Sequence, residues 1–312
     1  MNELQNESSP IERGPGGGGR AFVALQHLLP QHGISRLVFA ATRSRSVWFK
    51  NALIRLFVRG FKPDMSDAVE TDPTAYASFN EFFTRALRAD TRPVDPDPRA
   101  IVSPVDGTVS EAGALTADRL VQAKGRDYTL RALLAGNAAW ERTFAGGSFA
   151  TIYLAPYNYH RIHMPIAGEL RECFYVPGRL FSVNRTTAQL VPGLFSRNER
   201  VFCGFDAGGM PWAIILVGAL NVGSMATVWH GEVTPRKLRE VTALPVRDGL
   251  TAATLAKGAE MARFNMGSTV ILLLPPGAAQ WSESLRAGQA LRMGERIGTL
   301  RDWRPLPGPG GE

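Results

Sequence analysis

The strongest constraint on the fold is a long series of short β-type segments between residues 100 and 275. Each segment is rich in β-branched and aromatic residues and is bounded by glycine or proline, the pattern of strands joined by tight turns. We therefore expect this part of the chain to be mostly β-sheet, with barrel-like or sandwich-like hairpins. The predicted strands are residues 107–109, 149–154, 168–176, 200–205, 213–217, 226–229 and 270–274.

The N-terminal part has a helical pattern instead, interrupted around Pro30 and Gly33. Four apolar residues recur at the spacing i, i+4, i+7 and i+8, which places them on one face of a helix: Phe49, Leu53, Leu56 and Phe57. Two or three short amphipathic helices are predicted. The fold class is therefore α+β, mostly β, with N-terminal amphipathic helices followed by a β-rich domain.

Local signals divide the chain further. Ser78 and Glu81 have the spacing of a capping box, so a helix is expected to begin there and to run to about Leu87. The proline-rich residues 92–98 then stop it, and we expect a domain boundary in this linker. Four regions are predicted: a disordered tail (1–19), a basic amphipathic helical region (20–90), a β-rich domain (91–304) and a flexible C-terminal tail (305–312).

The positive charge is concentrated near the N-terminus. The chain has a formal charge of +7, and residues 20–62 contain eight arginines and lysines but no aspartate or glutamate. Such a segment suits an anionic membrane or a nucleic acid. A nucleic acid is disfavoured because the cations lie among apolar helix faces and no recognised binding module is present. The longest apolar run, residues 212–220, is far shorter than the roughly 18 residues that cross a bilayer, so no transmembrane helix is expected.

Neither a disulfide framework nor a metal site is expected. The two cysteines, Cys173 and Cys203, are too few for the former, and no Cys or His stands at ligand spacing from either. His160 and His163 lack further ligands nearby, so acid–base chemistry is the better interpretation of the pair. Residues 1–12 carry acids and no apolar core, so we expect neither a secretory signal nor a transit peptide, and a cytoplasmic protein.

Three Gly-Ser pairs are candidate nucleophile sites, at residues 147–148, 223–224 and 267–268, and none lies in a G-x-S-x-G elbow. Ser268 stands before a predicted strand, with His160, His163 and Asp106 upstream. The chain order Asp, His, Ser is compatible with a catalytic triad, so a serine hydrolase that uses uncleaved Ser268 remains an alternative. Asp106 precedes glycine, and Asp-Gly is also a common turn dipeptide.

Five separated motifs in this order resemble those of phosphatidylserine decarboxylases of the prokaryotic type. They are SPVDGTV (103–109), LAPYNYHRIHMP (154–165), VPGRLFSVN (176–184), LFSRNER (194–200) and FNMGSTV (264–270). The resemblance covers roughly residues 75–300. The family commonly has leucine where this chain has Met266, a volume-conserving change that we expect to be tolerated.

The resemblance implies a proenzyme that cuts itself between Gly267 and Ser268. Ser268 Oγ would attack the Gly267 carbonyl with His163 as the base, while Asp106 would hold the His163 tautomer and stabilise the imidazolium. The resulting ester would break by β-elimination, and the former Ser268 would become a covalent pyruvoyl group, so that no external cofactor is needed. The products would be a β chain of residues 1–267 and an α chain that begins at residue 268.

The resemblance also implies the reaction. The pyruvoyl carbonyl would form a Schiff base with the amine of phosphatidylserine and act as an electron sink while CO2 leaves, giving phosphatidylethanolamine. His160 is the candidate proton donor, with His163 the second choice. Two other classes stay open, a pyruvoyl decarboxylase of another amine substrate and a lipid-binding protein without activity.

The substrate would lie in an anionic membrane, and the basic, amphipathic character of residues 20–90 is compatible with binding to such a membrane. Cations attract an anionic leaflet, and apolar residues such as Phe49, Leu53 and Phe57 are predicted to enter the headgroup boundary. The alternative is a helical cap that packs on the catalytic domain. We expect a peripheral enzyme at the cytoplasmic face of the cell membrane, and a homodimer of the processed two-chain enzyme stays open.

Overall fold

The computed structural model describes residues 17–123, 126–219, 224–233, 240–246, 254–266 and 268–301. Most of the predicted N-terminal tail, the predicted C-terminal tail and Gly267 lie outside these ranges. The predicted N-terminal helices are confirmed as α1 (Gly17–Leu28), α2 (Gln31–Thr42) and α3 (Val47–Phe61). The break near Pro30 is present, but Gly33 lies inside α2, and α1 already includes residues 17–19 of the predicted tail.

Five shorter helices follow: α4 (Phe79–Phe83), α5 (Leu130–Leu133), α6 (Ala138–Phe144), α7 (Arg185–Leu190) and α8 (Leu194–Arg197). Ser78 caps α4 as predicted, since its side chain accepts a hydrogen bond from the Glu81 N–H at 3.2 Å. The helix ends at Phe83 and not near Leu87. Beyond it the chain turns away to pair with an earlier segment, where the Ala86 carbonyl accepts the Val69 N–H.

Strands dominate the rest of the described chain, and each of the seven predicted strands overlaps an observed one. The strands are β1 (Ala100–Val102), β2 (Gly107–Ala114), β3 (Arg119–Ala123), β4 (Arg126–Thr129), β5 (Ser148–Tyr153), β6 (Arg161–His163), β7 (Gly168–Val176), β8 (Arg200–Asp206), β9 (Pro211–Val217), β10 (Met225–Thr227), β11 (Gly231–Val233), β12 (Thr242–Ala243), β13 (Thr254–Leu255), β14 (Glu260–Phe264), β15 (Thr269–Leu274), β16 (Ala279–Trp281), β17 (Ala290–Leu291) and β18 (Arg296–Leu300). The α+β class is confirmed.

The largest sheet is antiparallel and has the strand order β12-β7-β8-β9-β15-β5-β2-β17, with β13 also paired to β7. Strand β15 lies inside this sheet, between β5 and β9, and every one of its residues is buried. Burial on both faces explains why its sequence is a continuous apolar run and not an alternating one. Its first residue, Thr269, lies opposite Tyr153 and Val217, so Ser268 immediately precedes a central strand.

A second, four-stranded sheet has the order β11-β10-β14-β6. Here β6, which carries His163, pairs with β14, and the chain leaves β14 only a few residues before Ser268. This pairing brings the histidine motif and the serine motif into one region although about a hundred residues separate them in sequence. The remaining strands form the sheet β1-β18-β16 and the hairpin β3-β4.

Helix α3 packs against α4 through a cluster of large apolar side chains, Ile54, Phe57, Phe79, Phe82 and Phe83. Leu53 is partly buried against the same cluster. The prediction that Leu53 and Phe57 enter a membrane is therefore wrong, because the aromatic residues of α4 cover this face. The exposed apolar residues of α3 lie elsewhere on the helix and include Trp48 and Leu56.

Replacing Ile54 by alanine is expected to lower the free energy of unfolding by about 2–5 kcal/mol, since its side chain is fully buried and its removal leaves a cavity. The matched control is Leu56→Ala on the same helix, which is 70% exposed and should change stability by less than about 0.5 kcal/mol. Denaturant unfolding followed by tryptophan fluorescence measures both. Equal effects would show that α3 is not anchored through Ile54.

Candidate active site

Ser268 is completely buried at the entrance to β15. Its backbone carbonyl accepts the Leu154 N–H at 2.8 Å, which extends the pairing of β15 and β5 by one residue. Its side-chain Oγ has no hydrogen-bond partner among the described residues. Leaving a buried hydroxyl unpaired costs about 1–3 kcal/mol, so such an atom is a candidate for chemistry. Gly267, the predicted partner in cleavage, lies outside the described residues.

His160 is also completely buried, with its ring 4.1 Å from that of Phe83. Its Nδ1 lies 2.8 Å from the Asn158 carbonyl, which can only accept, so Nδ1 carries the proton and Nε2 keeps a free lone pair. Nε2 is buried and has no partner within the described part of the chain. Burial lowers the pKa of His160 to about 3, so the ring is neutral near pH 7.

Two backbone hydrogen bonds bring His160 and Ser268 into the same region. The loop after β5 begins at Leu154, which is bonded to Ser268, and ends at His160, whose carbonyl accepts the Phe264 N–H at 3.0 Å. The chain from Phe264 to Ser268 is only four residues long and spans at most about 14 Å when extended. The Ser268 hydroxyl and His160 Nε2, both buried and without a described partner, therefore lie in the same region of the fold.

His163 is held at both ring nitrogens. Nδ1 donates to the Gly258 carbonyl at 2.8 Å, so Nε2 accepts the hydrogen bond from the Tyr159 hydroxyl at 2.9 Å. Burial lowers the pKa of His163, with the Gly258 hydrogen bond acting in the opposite direction. The ring is neutral near pH 7, and its basic nitrogen faces Tyr159.

The Asp106 carboxylate forms a buried ion pair with Arg92, and it is not the hydrogen-bond partner of His163. Its carboxylate accepts from Arg92 Nη2 at 2.6 Å and Nε at 2.9 Å, and from the Met293 N–H at 2.8 Å. In this structure the Gly258 carbonyl holds the His163 tautomer, so a direct hydrogen bond from His163 to Asp106 stays a prediction. Asp106 is paired with Arg92, because a buried carboxylate is best stabilised by a cation.

Asp106 is nevertheless close to the histidine strand. The His163 N–H donates to the Pro104 carbonyl at 2.8 Å, which joins the two motifs through the backbone. The negative charge of Asp106 raises the pKa of His163, although less strongly than burial lowers it. Asp106 can therefore favour the protonated imidazole without touching it.

A polar network that the sequence analysis missed surrounds Asn265. Asn265 Nδ2 donates to Ser224 Oγ at 2.5 Å, and Ser224 donates in turn to Glu232 at 2.5 Å. Arg43 at the end of α2 forms an ion pair with Glu232, and Asn80 of α4 donates to Asn265 Oδ1 at 3.2 Å. The network ties two N-terminal helices to the segment just before Ser268. The only sequence signal for it was the position of Asn265 within FNMGSTV.

A cavity of about 510 Å3 adjoins this network. Its lining includes Arg43, Asn80, Glu232, Arg263 and Asn265, so both signs of charge face it. The cavity therefore offers room for a small zwitterionic group close to the Ser268 region.

Two further findings concern the described residues as a whole. No cluster of three or more His, Cys, Asp or Glu side chains among them is arranged to hold a metal ion. In the same residues, no helix combines the length and the apolar character needed to cross a lipid bilayer.

Comparison with known proteins decides the family. A family model described as phosphatidylserine decarboxylase matches residues 79–299, more than half of the chain, and a model described as PSD matches residues 21–62. The chain belongs to the phosphatidylserine decarboxylase family. The resemblance carried by the five motifs is thereby confirmed, and the second match shows that the basic helical segment also has a counterpart in related proteins.

The similarity to individual phosphatidylserine decarboxylases extends over nearly the whole chain. The phosphatidylserine decarboxylase proenzyme of Pseudomonas fluorescens is 51% identical over 280 residues, covering 89% of this chain and 97% of the relative. That of Methylococcus capsulatus is 49% identical over 283 residues, covering 90% and 97%. That of Azotobacter vinelandii is 50% identical over 286 residues, covering 89% and 98%. These relatives are described as proenzymes, which agrees with a chain that is cut after folding.

Proposed function

We propose that this protein is a proenzyme that cuts itself between Gly267 and Ser268 and then converts phosphatidylserine to phosphatidylethanolamine and CO2. The observation that carries the proposal is the buried Ser268 hydroxyl, which has no described partner and lies in a family motif at the start of a central strand. In the uncut chain Ser268 has no exposed surface, so its hydroxyl is not accessible to an external ester, whereas the carbonyl of the preceding residue needs no access route. A serine hydrolase that uses uncleaved Ser268 is therefore disfavoured.

A pyruvoyl group formed from Ser268 fits this position. Loss of Oγ breaks no hydrogen bond among the described residues, and the backbone bond to Leu154 and the pairing of β15 do not depend on that atom. Once formed, the group supplies a carbonyl that condenses with the substrate amine and accepts the electron pair released with CO2.

We assign the base of self-cleavage to His163, as the family resemblance implies. Its ring is neutral and its Nε2 bears a lone pair, now engaged by the Tyr159 hydroxyl, so it can take the Ser268 proton once that contact loosens. Asp106 assists through its charge, which favours the imidazolium. This role is weaker than direct orientation, because Arg92 neutralises much of that charge.

His160 is assigned to proton transfer during turnover. The ammonium group of the substrate has to lose a proton before it can react, and the neutral Nε2 of His160 has a lone pair with no described partner. The same nitrogen can return the proton to the carbon that CO2 has left. The mixed charges of the cavity beside Asn265 suit the zwitterionic serine headgroup.

We also propose that residues 20–90 associate with the membrane and that residues 91–304 form the catalytic domain. Trp48, Leu56, Arg55 and Arg59 lie on one face of α3 at helical spacing, and all four are exposed. The opposite face packs on α4, so α3 is both a cap and a docking surface. Exposed apolar residues with interspersed cations suit peripheral binding to the anionic cytoplasmic face of the cell membrane.

Replacing Trp48 by alanine is expected to weaken binding to vesicles that contain an anionic phospholipid by at least about tenfold, because a large apolar contact of about 1.5–3 kcal/mol is lost. Trp48 is 77% exposed and makes no contribution to the buried cluster of α3. Co-sedimentation measures the effect, and Val69→Ala, another exposed apolar residue outside α3, is the control. Equal binding by Trp48→Ala and the unsubstituted protein would contradict docking through this face.

The proposed activity is tested by intact mass of the purified protein together with CO2 release. We expect two chains, the smaller one beginning with a carbonyl group in place of serine, and CO2 from phosphatidylserine but not from free amino acids. A single uncut chain with esterase activity would support the hydrolase, and CO2 from a soluble amine would support a different decarboxylase. Association of two processed copies remains a prediction for sedimentation velocity.

A further inference from the structure

A buried carboxyl group lies near residue 268 and has no role in the proposed function so far. Glu199, the residue before β8, is only 1% exposed, and its Oε2 accepts a hydrogen bond from the Tyr175 hydroxyl at 3.0 Å. No ion pair of Glu199 occurs within the described residues. Burial raises its pKa to about 7, and the Tyr175 hydrogen bond acts against that rise. Near neutral pH this carboxyl is therefore present in both its protonated and its ionised form.

The other groups around Glu199 do not neutralise it. The neighbouring Arg200 directs its guanidinium to backbone carbonyls, those of Ala132, Leu133, Ser196 and Asn198. Tyr175 on β7 is the one described titratable side chain that acts on the Glu199 pKa. A carboxyl kept inside a protein without a cation is costly unless it is protonated, so the site favours the acid form.

The register of the large sheet aligns Glu199 with Ser268. Arg200 lies opposite Val217, and Val217 lies opposite Thr269. One residue further along, the Gly218 N–H donates to the Glu199 carbonyl at 2.8 Å, and the register of β15 and β9 extended by one residue places Ser268 opposite Gly218. Side chains of directly opposed residues in antiparallel strands point to the same face. The Glu199 carboxyl and the Ser268 Cβ therefore lie on the same side of the sheet.

Gly218 leaves open the space between them. A Cβ at this residue would lie 3.0 Å from Glu199 Cγ and 3.3 Å from Oε1, so the Glu199 side chain extends over the glycine. Opposed Cβ positions in an antiparallel pair are about 5 Å apart. A small side-chain rotation or one water molecule can carry a proton over that distance from the Glu199 carboxyl above Gly218 to the Cβ of residue 268.

We propose that Glu199 is the proton donor that completes maturation by protonating the Cβ of residue 268. The inference rests on the proposed self-cleavage and concerns the step after it. β-Elimination leaves residue 268 as dehydroalanine, with a CH2=C double bond and a free amino group. The carboxyl proton of Glu199 moves to the CH2 carbon, which becomes the methyl group, and the double bond shifts to carbon and nitrogen. Water then adds to that carbon, ammonia leaves, and Glu199 regains a proton as the water oxygen becomes the carbonyl.

Glu199→Gln tests this role, because the amide has the same shape and can still accept from Tyr175 but cannot donate a carboxyl proton. Newly synthesised chain is followed in time, with cleavage read by denaturing electrophoresis and the state of residue 268 by accurate mass and by trapping of dehydroalanine with a thiol. We expect cleavage within about twofold of the unsubstituted rate and formation of the carbonyl slowed at least about tenfold. Carbonyl formation at the unsubstituted rate, or a folded variant that does not cleave, would overturn the proposal.

Tyr175→Phe provides an independent test. Its readout is the pH dependence of carbonyl formation, which would not shift if Glu199 had only a structural role. Since the Tyr175 hydrogen bond lowers the pKa of Glu199, its removal raises that pKa and keeps the acid form to higher pH. In the unsubstituted protein, carbonyl formation should slow as the pH rises through about 7, and in the variant the slowing should occur at higher pH. An unshifted profile would overturn the proposal even if Glu199→Gln fails to fold. Absence of cleavage in the unsubstituted protein would instead refute the proposed function.

Discussion

Replacing Ser268 by alanine is expected to leave a single uncut chain that releases no CO2 from phosphatidylserine. Alanine has no oxygen to attack the preceding carbonyl, so neither the ester nor the carbonyl group derived from it can form. The fold should persist, because Ser268 Oγ makes no hydrogen bond among the described residues and its loss leaves no described donor or acceptor without a partner. The loss of both activities should be complete.

The chain contains a matched control for this substitution. Ser148 also follows a glycine, lies at the start of β5 and has a buried Oγ without a described partner. Ser148→Ala should therefore cleave and turn over normally. Denaturing electrophoresis and CO2 release from phosphatidylserine in detergent micelles measure both variants. Two chains from Ser268→Ala would refute the assigned cleavage site, and an uncut Ser148→Ala would show that the effect is not specific to residue 268.

Alanine substitutions of the two histidines in the 154–165 motif are expected to affect different steps. His163→Ala should slow self-cleavage by about 100-fold or more, the usual contribution of a general base. His160→Ala should cleave but lose turnover by a similar factor, because its Nε2 is the ring nitrogen without a described partner. The difference should appear when cleavage time courses are compared with CO2 release by chain that is already cut.

His32 supplies the control for these substitutions, since it is exposed on α2 and its replacement by alanine should change neither rate. Two opposite outcomes are informative. If His160→Ala remains uncut while His163→Ala cleaves, the two roles are exchanged. If both variants cleave and turn over normally, neither imidazole takes part and the proposed site is wrong.

The β-rich part of the fold could be predicted because its signals are local. Strand β7 was expected at residues 168–176 and has these bounds. An uninterrupted apolar run predicts the buried strand β15. The end of α4 could not be predicted in the same way. The residues after Phe83 leave the helix to pair with residues 68–69, and nothing near Phe83 in sequence encodes that contact.

Helical periodicity was similarly incomplete for α3. The spacing of apolar residues identified an amphipathic helix, but Trp48 and Leu56 form a second apolar stripe beside the one that contains Phe57. Which stripe is buried depends on where α4 lies, and that is decided by tertiary packing. Of the predicted face, α4 covers Leu53 and Phe57, whereas Leu56 is exposed.

In the candidate site, the motifs indicated the reactive residues but not their contacts. Ser268, His160 and His163 were identified from motifs, whereas the partner of Asp106 was not. Arg92 lies in a proline-rich linker outside every motif, so only the folded structure connects it to Asp106. Glu199 is part of the LFSRNER motif, but its relation to residue 268 depends on strand register across Gly218.

The central position of β15 determines whether the cut enzyme can refold. After the proposed cut before residue 268, the hydrogen bonds of Thr269–Leu274 to β5 and β9 would join two separate polypeptides, and so would those of β17 with β2 and of β18 with β1. The precursor folds as one molecule, whereas the mature protein, once denatured, can recover only by a second-order encounter of its fragments. The two chains are therefore brought together once, when the uncut precursor folds. If the cut protein unfolds at low concentration, its two chains separate and activity is permanently lost.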